Sequence, residues 1–326
     1  MTIIVDTRGG DNPDLVIKGC AEALREIEEV NLVLTGDEAH IKELLSSESY
    51  DKGRLTVINA EEEITNCDSP ITAIRRKKNS SLVKAYEALS GDAASAMITA
   101  GSTGAVIVGS LLLLNRGKGA DKPALATVFP NITGGFTCLV DCGANVDCNE
   151  ENLLNFARHG SDYMRTVYGI EKPKVALLSV GTEDSKGNAL TKAAFALLKD
   201  SELNFVGNME AKTVLAGEVD VIVTDGFAGN VLIKAVEGVA GAVMQVFTGL
   251  LKKNAPEGAD ISFVKRSAYE FMNIFDFTSQ GGAILLGAEK PIVKMHGSAN
   301  NKTVVSCVRQ AMSMCRGEAA VNKSIK

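Results

Sequence analysis

Short apolar runs alternate along this chain with longer segments whose apolar residues recur every three or four positions. The runs, rich in Val, Ile and Leu, are typical of strands covered on both faces, and the longer segments are typical of packed helices. The β-α-β-α-β order of residues 2–58 predicts a Rossmann-like α/β/α sandwich with a mostly parallel sheet. The predicted strands are 2–5, 31–35, 55–58, 96–99, 124–128, 136–140, 174–179, 204–206, 219–223 and one that ends before His296.

The stretch 219–234 combines a buried strand, a turn of small and polar residues at 225–230, and a helix predicted from Val231 onward. Glycines in the turn let backbone amides approach a ligand, and a helix N-terminus favours an anion. Asn230 could donate a hydrogen bond at the same place. An ordinary strand-to-helix turn has the same pattern, so the stretch alone does not decide between them.

Five other strand ends carry similar loops of small residues, amides, hydroxyls and acids. Open α/β sheets bind ligands at the carboxyl ends of their strands, so we expect the six loops to form one shared anion site. Ser102 and Thr103 also suit helix capping, the commoner role of such residues. A lone His is more often structural, but the strand-end position of His296 favours a site. The five loops are 6–11, 101–104, 141–145, 186–188 and 296–298.

Two helices predicted at 231–251 and 261–275, joined by a turn at 252–258, form a protruding helical hairpin within 231–277. The pair has more apolar surface than two helices can bury between them. The excess predicts contact with another subunit, or with a membrane surface at the tip. Packing within the same subunit is the alternative.

The chain of 326 residues is 45% hydrophobic, enough for one large domain or two closely packed ones, and we expect a single domain over 1–326. Its formal charge of −6 argues against nucleic acid as the main partner. Seven cysteines without a Cys-x-x-Cys pair suggest neither disulfides nor zinc, as expected in a reducing cytosol. We expect no signal peptide and no segment apolar for long enough to cross a bilayer.

The first glycine-rich loop reads Asp-x-x-Gly-Gly-Asp rather than Gly-x-Gly-x-x-Gly, so we expect no nucleotide cofactor, and no cluster of metal ligands is evident. Eight motifs together, in this order, resemble the PlsX family, the phosphate acyltransferases of bacterial phospholipid synthesis, from Ile4 to about Asn300. They are Val-Asp-x-x-Gly-Gly-Asp (5–11), Arg-Arg-Lys-Lys-Asn-Ser-Ser (75–81), Ala-Gly-Ser-Thr-Gly-Ala (100–105), Lys-Pro-Ala-Leu-Ala-Thr (122–127), Asp-Cys-Gly-Ala-Asn-Val-Asp-Cys (141–148), Asp-Gly-Phe-Ala-Gly-Asn-Val-Leu-Ile-Lys (225–234), Gly-Gly-Ala-x-Leu-Leu-Gly (281–287) and Lys-x-His-Gly-Ser (294–298).

The resemblance implies a fold similar to isocitrate and isopropylmalate dehydrogenases and to phosphotransacetylase, without their nucleotide. It implies that inorganic phosphate attacks the thioester of acyl carrier protein and gives an acyl phosphate. It further implies a homodimer in the cytoplasm with peripheral membrane contact. A membrane glycerol-3-phosphate acyltransferase then consumes the product.

By the same resemblance, Lys186 and Asn230 match the catalytic positions of the family. Lys186 would hold phosphate or the oxyanion, and Asn230 would donate to the thioester oxygen or to phosphate. The expected substrate site adds backbone amides and polar side chains, with the acids orienting the loops rather than binding phosphate. These residues are Asp6, Gly101, Ser102, Thr103, Asp141, Asn145, Gly229, His296 and Ser298.

The basic cluster at 75–78 is either a solvated turn or a docking patch for the acidic carrier protein. Three other functions remain open. A coenzyme A-dependent phosphate acetyl- or butyryltransferase would share the fold, a decarboxylating dehydrogenase would need a metal-binding acid cluster, and a membrane scaffold would use only the hairpin. Arg8, Ser102 and Ile284 depart from the family pattern.

Overall fold

The structure is a computed structural model that describes residues 1–91, 94–114, 122–256, 260, 262–275 and 281–317. The strands it contains confirm the predicted positions, and β10 is added before the last of them. They are β1 (Thr2–Asp6), β2 (Asn31–Gly36), β3 (Leu55–Asn59), β4 (Ala96–Thr99), β5 (Ala124–Pro130), β6 (Phe136–Val140), β7 (Lys174–Ser179), β8 (Asn204–Glu210), β9 (Val221–Val223), β10 (Ala283–Leu286) and β11 (Ile292–Lys294).

Helices connect most of these strands. Two of them, α3 and α7, were not predicted from the sequence, and α5 continues as π-helix over Ser110–Leu114. The α-helices are α1 (Pro13–Glu26), α2 (Glu38–Leu45), α3 (Pro70–Arg76), α4 (Ser81–Ser90), α5 (Thr103–Gly109), α6 (Glu150–Tyr168), α7 (Ala189–Lys199), α8 (Gly226–Asn254), α9 (Ser262–Phe275) and α10 (Asn301–Arg316).

All the described strands join one sheet in the order β3-β2-β1-β4-β11-β10-β5-β6-β9-β7-β8. Seven neighbouring pairs are parallel, which confirms the mostly parallel sheet. The three antiparallel pairs lie together at the centre, where β10 pairs with β11 and β5, and β5 pairs with β6 as a hairpin. Three reversals in succession leave β6, β9, β7 and β8 running opposite to β1, β4 and β11.

Apolar side chains from both faces of the sheet form the core. One face, here called the front face, packs against α3, α4, α5 and the start of α8 through residues such as Tyr86, Val106 and Ile233. The back face packs against α1, α2 and α10 in one half and against α6 and α7 in the other. Helices on both faces confirm the α/β/α sandwich, since strands buried on both sides require such cover.

Helix α8 begins five residues before the position predicted from the sequence. Asp225 is its N-cap, and one carboxylate oxygen of Asp225 accepts a hydrogen bond from the Ala228 amide at 2.8 Å. The predicted turn 225–230 is therefore the cap and first turn of the helix. The prediction started the helix at its β-branched run and overlooked Asp225, whose side chain satisfies an otherwise free amide.

By length and composition, α8 is also apolar enough to cross a membrane, contrary to the expectation from the sequence. Its first turns are fixed in the protein, because Gly226, Gly229 and Ile233 are buried there. The later turns are largely exposed and pack beside α9. The apolar surface of α8 beyond Ile233 is the part available to a partner.

Candidate active site

The six predicted site loops fall into two groups at opposite ends of the strands. A first loop group (6–11, 101–104 and 296–298) follows β1, β4 and β11, and a second loop group (141–145, 186–188 and 225–230) follows β6, β7 and β9. The two sets of strands run in opposite directions. The expectation of one shared edge is therefore wrong, because it assumed parallel strands throughout.

Asp6 holds the first loop group together. It is 1% exposed, and its carboxylate accepts hydrogen bonds from the Thr99 hydroxyl at 2.7 Å and the Arg8 amide at 3.2 Å. The Gly101 amide in turn donates to the Thr99 hydroxyl oxygen at 2.9 Å. Burial raises the pKa of Asp6 to about 6. Asp6 orients these loops, as expected, and the Gly101 amide is used within the protein rather than left for an anion.

The loops after β1 and β11 are interlocked through glycine. The Asp11 amide donates to the Gly297 carbonyl at 2.9 Å, and a Cβ on Gly10 would lie 2.7 Å from the Ala100 side chain. Any larger residue at Gly10 would push these loops apart. Close packing at this end of the sheet thus explains the glycine at position 10 of the first motif.

The polar side chains of the first loop group differ in what they are free to do. His296 and Ser298 are exposed, and the His296 Nδ1 lies 2.7 Å from the Ser298 hydroxyl. Ser102 occupies the N-cap position of α5, yet its hydroxyl makes no capping bond. The commoner role, capping, is therefore absent at Ser102.

Asp141 organises the second loop group. It is fully buried, and its carboxylate accepts hydrogen bonds from the backbone amides of Gly143, Ala144 and Asn145 at 2.7–3.0 Å. The Asn145 side chain also donates to Asp141, at 2.8 Å. Burial raises the pKa of Asp141. The acceptor positions of Asp141 are therefore used within the protein, and the side chains of Asp141 and Asn145 hold the loop backbone in place.

Gly229 packs against this loop. A Cβ on Gly229 would lie 1.9 Å from the Asp141 carbonyl oxygen, so only glycine allows α8 to approach so closely. The Gly229 amide donates to the Asp225 carbonyl at 3.0 Å. Its N–H is therefore unavailable to an anion, contrary to the sequence-based expectation of a cradle there.

Lys186 and Asn230, by contrast, are exposed to solvent. The nearest carboxylate oxygen to the Lys186 Nζ is that of Glu183 at 3.9 Å, with half of the Lys186 side chain accessible. Among the described residues, the side-chain amide of Asn230 has no hydrogen-bond partner. Lys186 follows β7 and Asn230 follows β9, which are neighbouring strands of one direction. The structure thus places both at the same end of the sheet with their polar groups available.

Three partly buried residues lie in a row across the centre of the front face. Lys294 on β11 pairs with Ala283 on β10. On the next strand, β5, Ala126 pairs with Ile284, so Thr127 lies at the level of Ala283. These three residues, here called the central trough, are only partly buried. The residues that flank them at the same level of the sheet, Thr99 and Leu139, are buried. The trough lies between the two loop groups, so a substrate on the sheet face could contact both.

Lys294 was not predicted as a site residue, although it opens the Lys-x-His-Gly-Ser motif. Its ammonium group donates to the Met295 carbonyl at 2.8 Å. Burial lowers the pKa of Lys294 to about 8, an effect that Asp11 and Asp6 oppose. A lysine inside the otherwise apolar run Ile-Val-Lys-Met was the signal in the sequence, since charged residues seldom occupy buried strands.

The basic cluster at 75–78 lies at the end of α3, which packs beside α5. Lys77 is occupied, donating to the Asp68 carboxylate at 2.8 Å and to a backbone carbonyl. Arg75 and Arg76 are exposed. Two of the four basic side chains are therefore available to a partner.

The hairpin of α8 and α9 carries an apolar stripe, here called the α8 stripe, on its exposed side. Residues 239, 243, 246 and 250 of the stripe are all more than half exposed. Their spacing of four, three and four residues places them on one side of the helix, as in helices that pair with another helix. The stripe consists of Val239, Val243, Val246 and Leu250.

Comparisons with a family model and with known proteins agree on one family for this chain. The model of the family described as "Fatty acid synthesis protein" matches residues 1–322. The chain is 39% identical over 314 residues to a phosphate acyltransferase of Clostridium novyi (strain NT), covering 96% of this chain and 94% of that protein. It is 41% identical over 315 residues to a phosphate acyltransferase of Bacillus licheniformis, with the same coverage of both.

Solved structures share the fold at low sequence identity. A phosphotransacetylase from Streptococcus pyogenes superposes with a TM-score of 0.61 at 16% identity, covering 97% of this chain and 94% of that one. A branched-chain phosphotransacylase from Enterococcus faecalis gives 0.56 at 15%, covering 96% and 99%. These likenesses confirm the fold predicted from the sequence. On the match of nearly its whole length, the chain belongs to the fatty acid synthesis protein family, in which its relatives are phosphate acyltransferases.

Proposed function

We propose that this protein transfers a fatty acyl group from acyl carrier protein to inorganic phosphate. A phosphate oxygen attacks the thioester carbonyl, the C–S bond breaks, and acyl phosphate and the carrier thiol leave. The observation that carries the proposal is the family match over residues 1–322, with identities of 39% and 41% to phosphate acyltransferases. Phosphate is itself a nucleophile at neutral pH, so positioning and charge stabilisation are the tasks of the protein.

Lys186 and Asn230 perform the charge stabilisation in this proposal. Negative charge develops on the thioester oxygen as phosphate attacks, and a cation and an amide donor at that oxygen lower the barrier. Their exposure and their neighbouring strands support the pairing. Asp141 and Asn145 hold the loop beside Asn230, since a Cβ on Gly143 would lie 3.5 Å from the Asn230 side-chain oxygen.

The remaining site residues contribute from the first loop group. The hydroxyl of Ser102, which makes no capping bond, and the exposed His296–Ser298 pair act as hydrogen-bond donors to phosphate or to the acyl donor. Thr103 follows Ser102 at the start of α5. Asp6 and the glycines keep these loops in place. The acidic carrier protein docks at Arg75 and Arg76, whose exposed charges attract it.

The hairpin serves assembly and location. The α8 stripe pairs with its copy in a homodimer, because four exposed apolar residues at this spacing are typical of a helix pair. Near the tip, Leu251, Lys252 and Lys253 combine apolar and basic side chains, a composition that attracts an anionic lipid surface. This cytoplasmic enzyme thereby releases acyl phosphate near a membrane glycerol-3-phosphate acyltransferase.

One assay tests the reaction. The purified protein is given acyl-acyl carrier protein with and without inorganic phosphate, and the released thiol is measured. We expect thiol release that depends on phosphate and is much weaker with the matching acyl-coenzyme A. A preference for coenzyme A would establish the alternative transferase, and no phosphate-dependent release from either donor would refute the proposal. Sedimentation and liposome flotation, each with Val246→Asp and Leu251→Asp variants, test dimer and membrane contact.

A further inference from the structure

Lys294 occupies the floor of the central trough, on the same level as two polar residues of the neighbouring strands. It pairs with Thr99 on β4, and Thr99 pairs with Asp6 on β1. Side chains at paired positions point to the same face of a sheet, so the ammonium-bearing side chain leaves the sheet on the front face. The side chain of Lys294 is only partly buried there.

The charge of Lys294 is incompletely matched. Its single hydrogen bond among the described residues goes to the Met295 carbonyl, although an ammonium group has three donors. Within the residues that the structure describes, the Lys294 ammonium group forms no ion pair with a carboxylate. Asp6, the acid on its own level, has its oxygens engaged by Thr99 and Arg8. A partly buried cation with unused donors favours an anionic ligand.

We propose that Lys294 binds the phosphate nucleophile in the central trough, opposite Lys186 and Asn230. The inference rests on the proposed function and adds a residue to it. Asn230 follows β9, four strand spacings from β11, and Lys186 follows β7, five spacings away, which is roughly 19 and 24 Å at about 4.8 Å each. In this proposal phosphate meets the thioester carbonyl between the two loop groups.

A purely structural lysine would give a different response to pH. The groups that act on the Lys294 charge are Asp6 on β1, Asp11 in the following loop and Cys307 on α10, besides burial, which is the largest effect. With its pKa at about 8, the ammonium form is present below that pH and is lost above it. Phosphate affinity should therefore fall above pH 8, roughly tenfold for each further pH unit.

The test compares Lys294→Met and Lys294→Arg with the wild type. Without the charge, the KM for phosphate should rise about tenfold to a hundredfold, the usual loss for a hydrogen bond to a charged group, while the KM for the acyl donor changes little. Arginine keeps its charge over the whole range, so Lys294→Arg should retain phosphate binding and lack the decline above pH 8. Lys302→Met removes an exposed lysine on α10 and is the matched control.

Calorimetric titration with inorganic phosphate alone separates this inference from the proposed function. Loss of phosphate binding in Lys294→Met, with normal binding in Lys302→Met and an unchanged circular dichroism spectrum, supports Lys294 even if no acyl transfer is found. An unchanged phosphate KM and affinity in Lys294→Met would overturn the role. So would a decline above pH 8 that persists in Lys294→Arg, since the titrating group would then be another one.

Discussion

The two loop groups have similar compositions and very different surroundings. In the first, Asp6 is buried, its carboxylate is bound by Thr99 and Arg8, and glycine lets the loops interlock. In the second, a buried Asp141 also organises its loop, but Lys186 and Asn230 project from that framework into solvent. Each group therefore has one buried acid for support, while only the second presents an exposed cation and amide.

This difference separates the acids from the groups that we propose to meet the substrate. A carboxylate beside phosphate would repel it, and both Asp6 and Asp141 are instead turned toward backbone amides and hydroxyls. Their function is to fix loop geometry. Substitutions of the acids should thus act first on stability, and substitutions of the exposed groups should act on catalysis alone.

The largest effect is expected at Lys186. Lys186→Ala should lower kcat about a hundredfold to a thousandfold, because the developing oxyanion loses a charged donor. Stability should hardly change, since the side chain is half exposed and 3.9 Å from its nearest carboxylate. Steady-state kinetics with acyl carrier protein and urea unfolding measure the two quantities. Lys192→Ala, at an exposed lysine of the following helix, is the control, and near-normal turnover by Lys186→Ala would refute the catalytic role.

At Asp141 the effect should appear in the folded state. Asp141→Ala leaves the partly buried amides of Gly143, Ala144 and Asn145 without their acceptor, which should cost about 4 kcal/mol in the free energy of unfolding. Asp225→Ala removes one cap bond from α8 and should cost about 1 kcal/mol. Denaturant unfolding compares the two variants. Equal losses would show that the Asp141 network contributes no more than a single cap.

Asp6 gives the first loop group a pH dependence of its own. Its pKa is raised from 3.8 to about 6 in the folded protein, so the native state binds the proton more tightly than the unfolded chain. The resulting stabilisation is complete below pH 3.8 and is lost as pH rises through 6, about 3 kcal/mol in total. Asp6→Asn should lack this loss when unfolding is measured from pH 4 to 7. If the free energy of unfolding changes with pH in the same way for the wild type and for Asp6→Asn, the pH dependence does not come from Asp6.

Much of the fold follows from local patterns in the sequence, and the failures have identifiable physical causes. Strands with β-branched runs, such as β1 and β7, were located almost to the residue, because burial on both faces leaves a continuous apolar signal. Helix α7 was missed although Asn188, which accepts a bond from the Thr191 amide, is a recognisable N-cap. The start of α8 was misplaced for the same reason at Asp225.

The site was less accessible to sequence reasoning. Which residues are polar and follow strands is written in the sequence, and those residues are present as expected. The direction of each strand is not written in the sequence, because the reversals at β10 and β5 depend on pairing between distant segments. These reversals divide the site loops into two groups. The partial burial of Lys294 depends on the same pairing with β4 and β10. The strand directions and the partial burial of Lys294 both depend on tertiary structure, so no local sequence pattern predicts them.

The smallest effect is expected outside both loop groups, at the basic end of α3. Reversing both charges in Arg75→Glu/Arg76→Glu should raise the KM for acyl carrier protein about threefold to tenfold, since exposed charges guide association more than they stabilise the complex. The effect should shrink as salt is raised toward 0.5 M, because screening shortens the reach of surface charge at roughly that concentration. Neither kcat nor the KM for phosphate should change.

Lys77 provides the matched comparison for this surface. It belongs to the same basic cluster but is held by Asp68, so Lys77→Glu should disturb the local structure and leave less of a salt-dependent effect on carrier binding. A loss in the Arg75/Arg76 variant that is independent of salt would indicate distortion of α3, which packs beside α5. A salt-dependent loss confined to the carrier KM separates docking at the surface from chemistry in the trough.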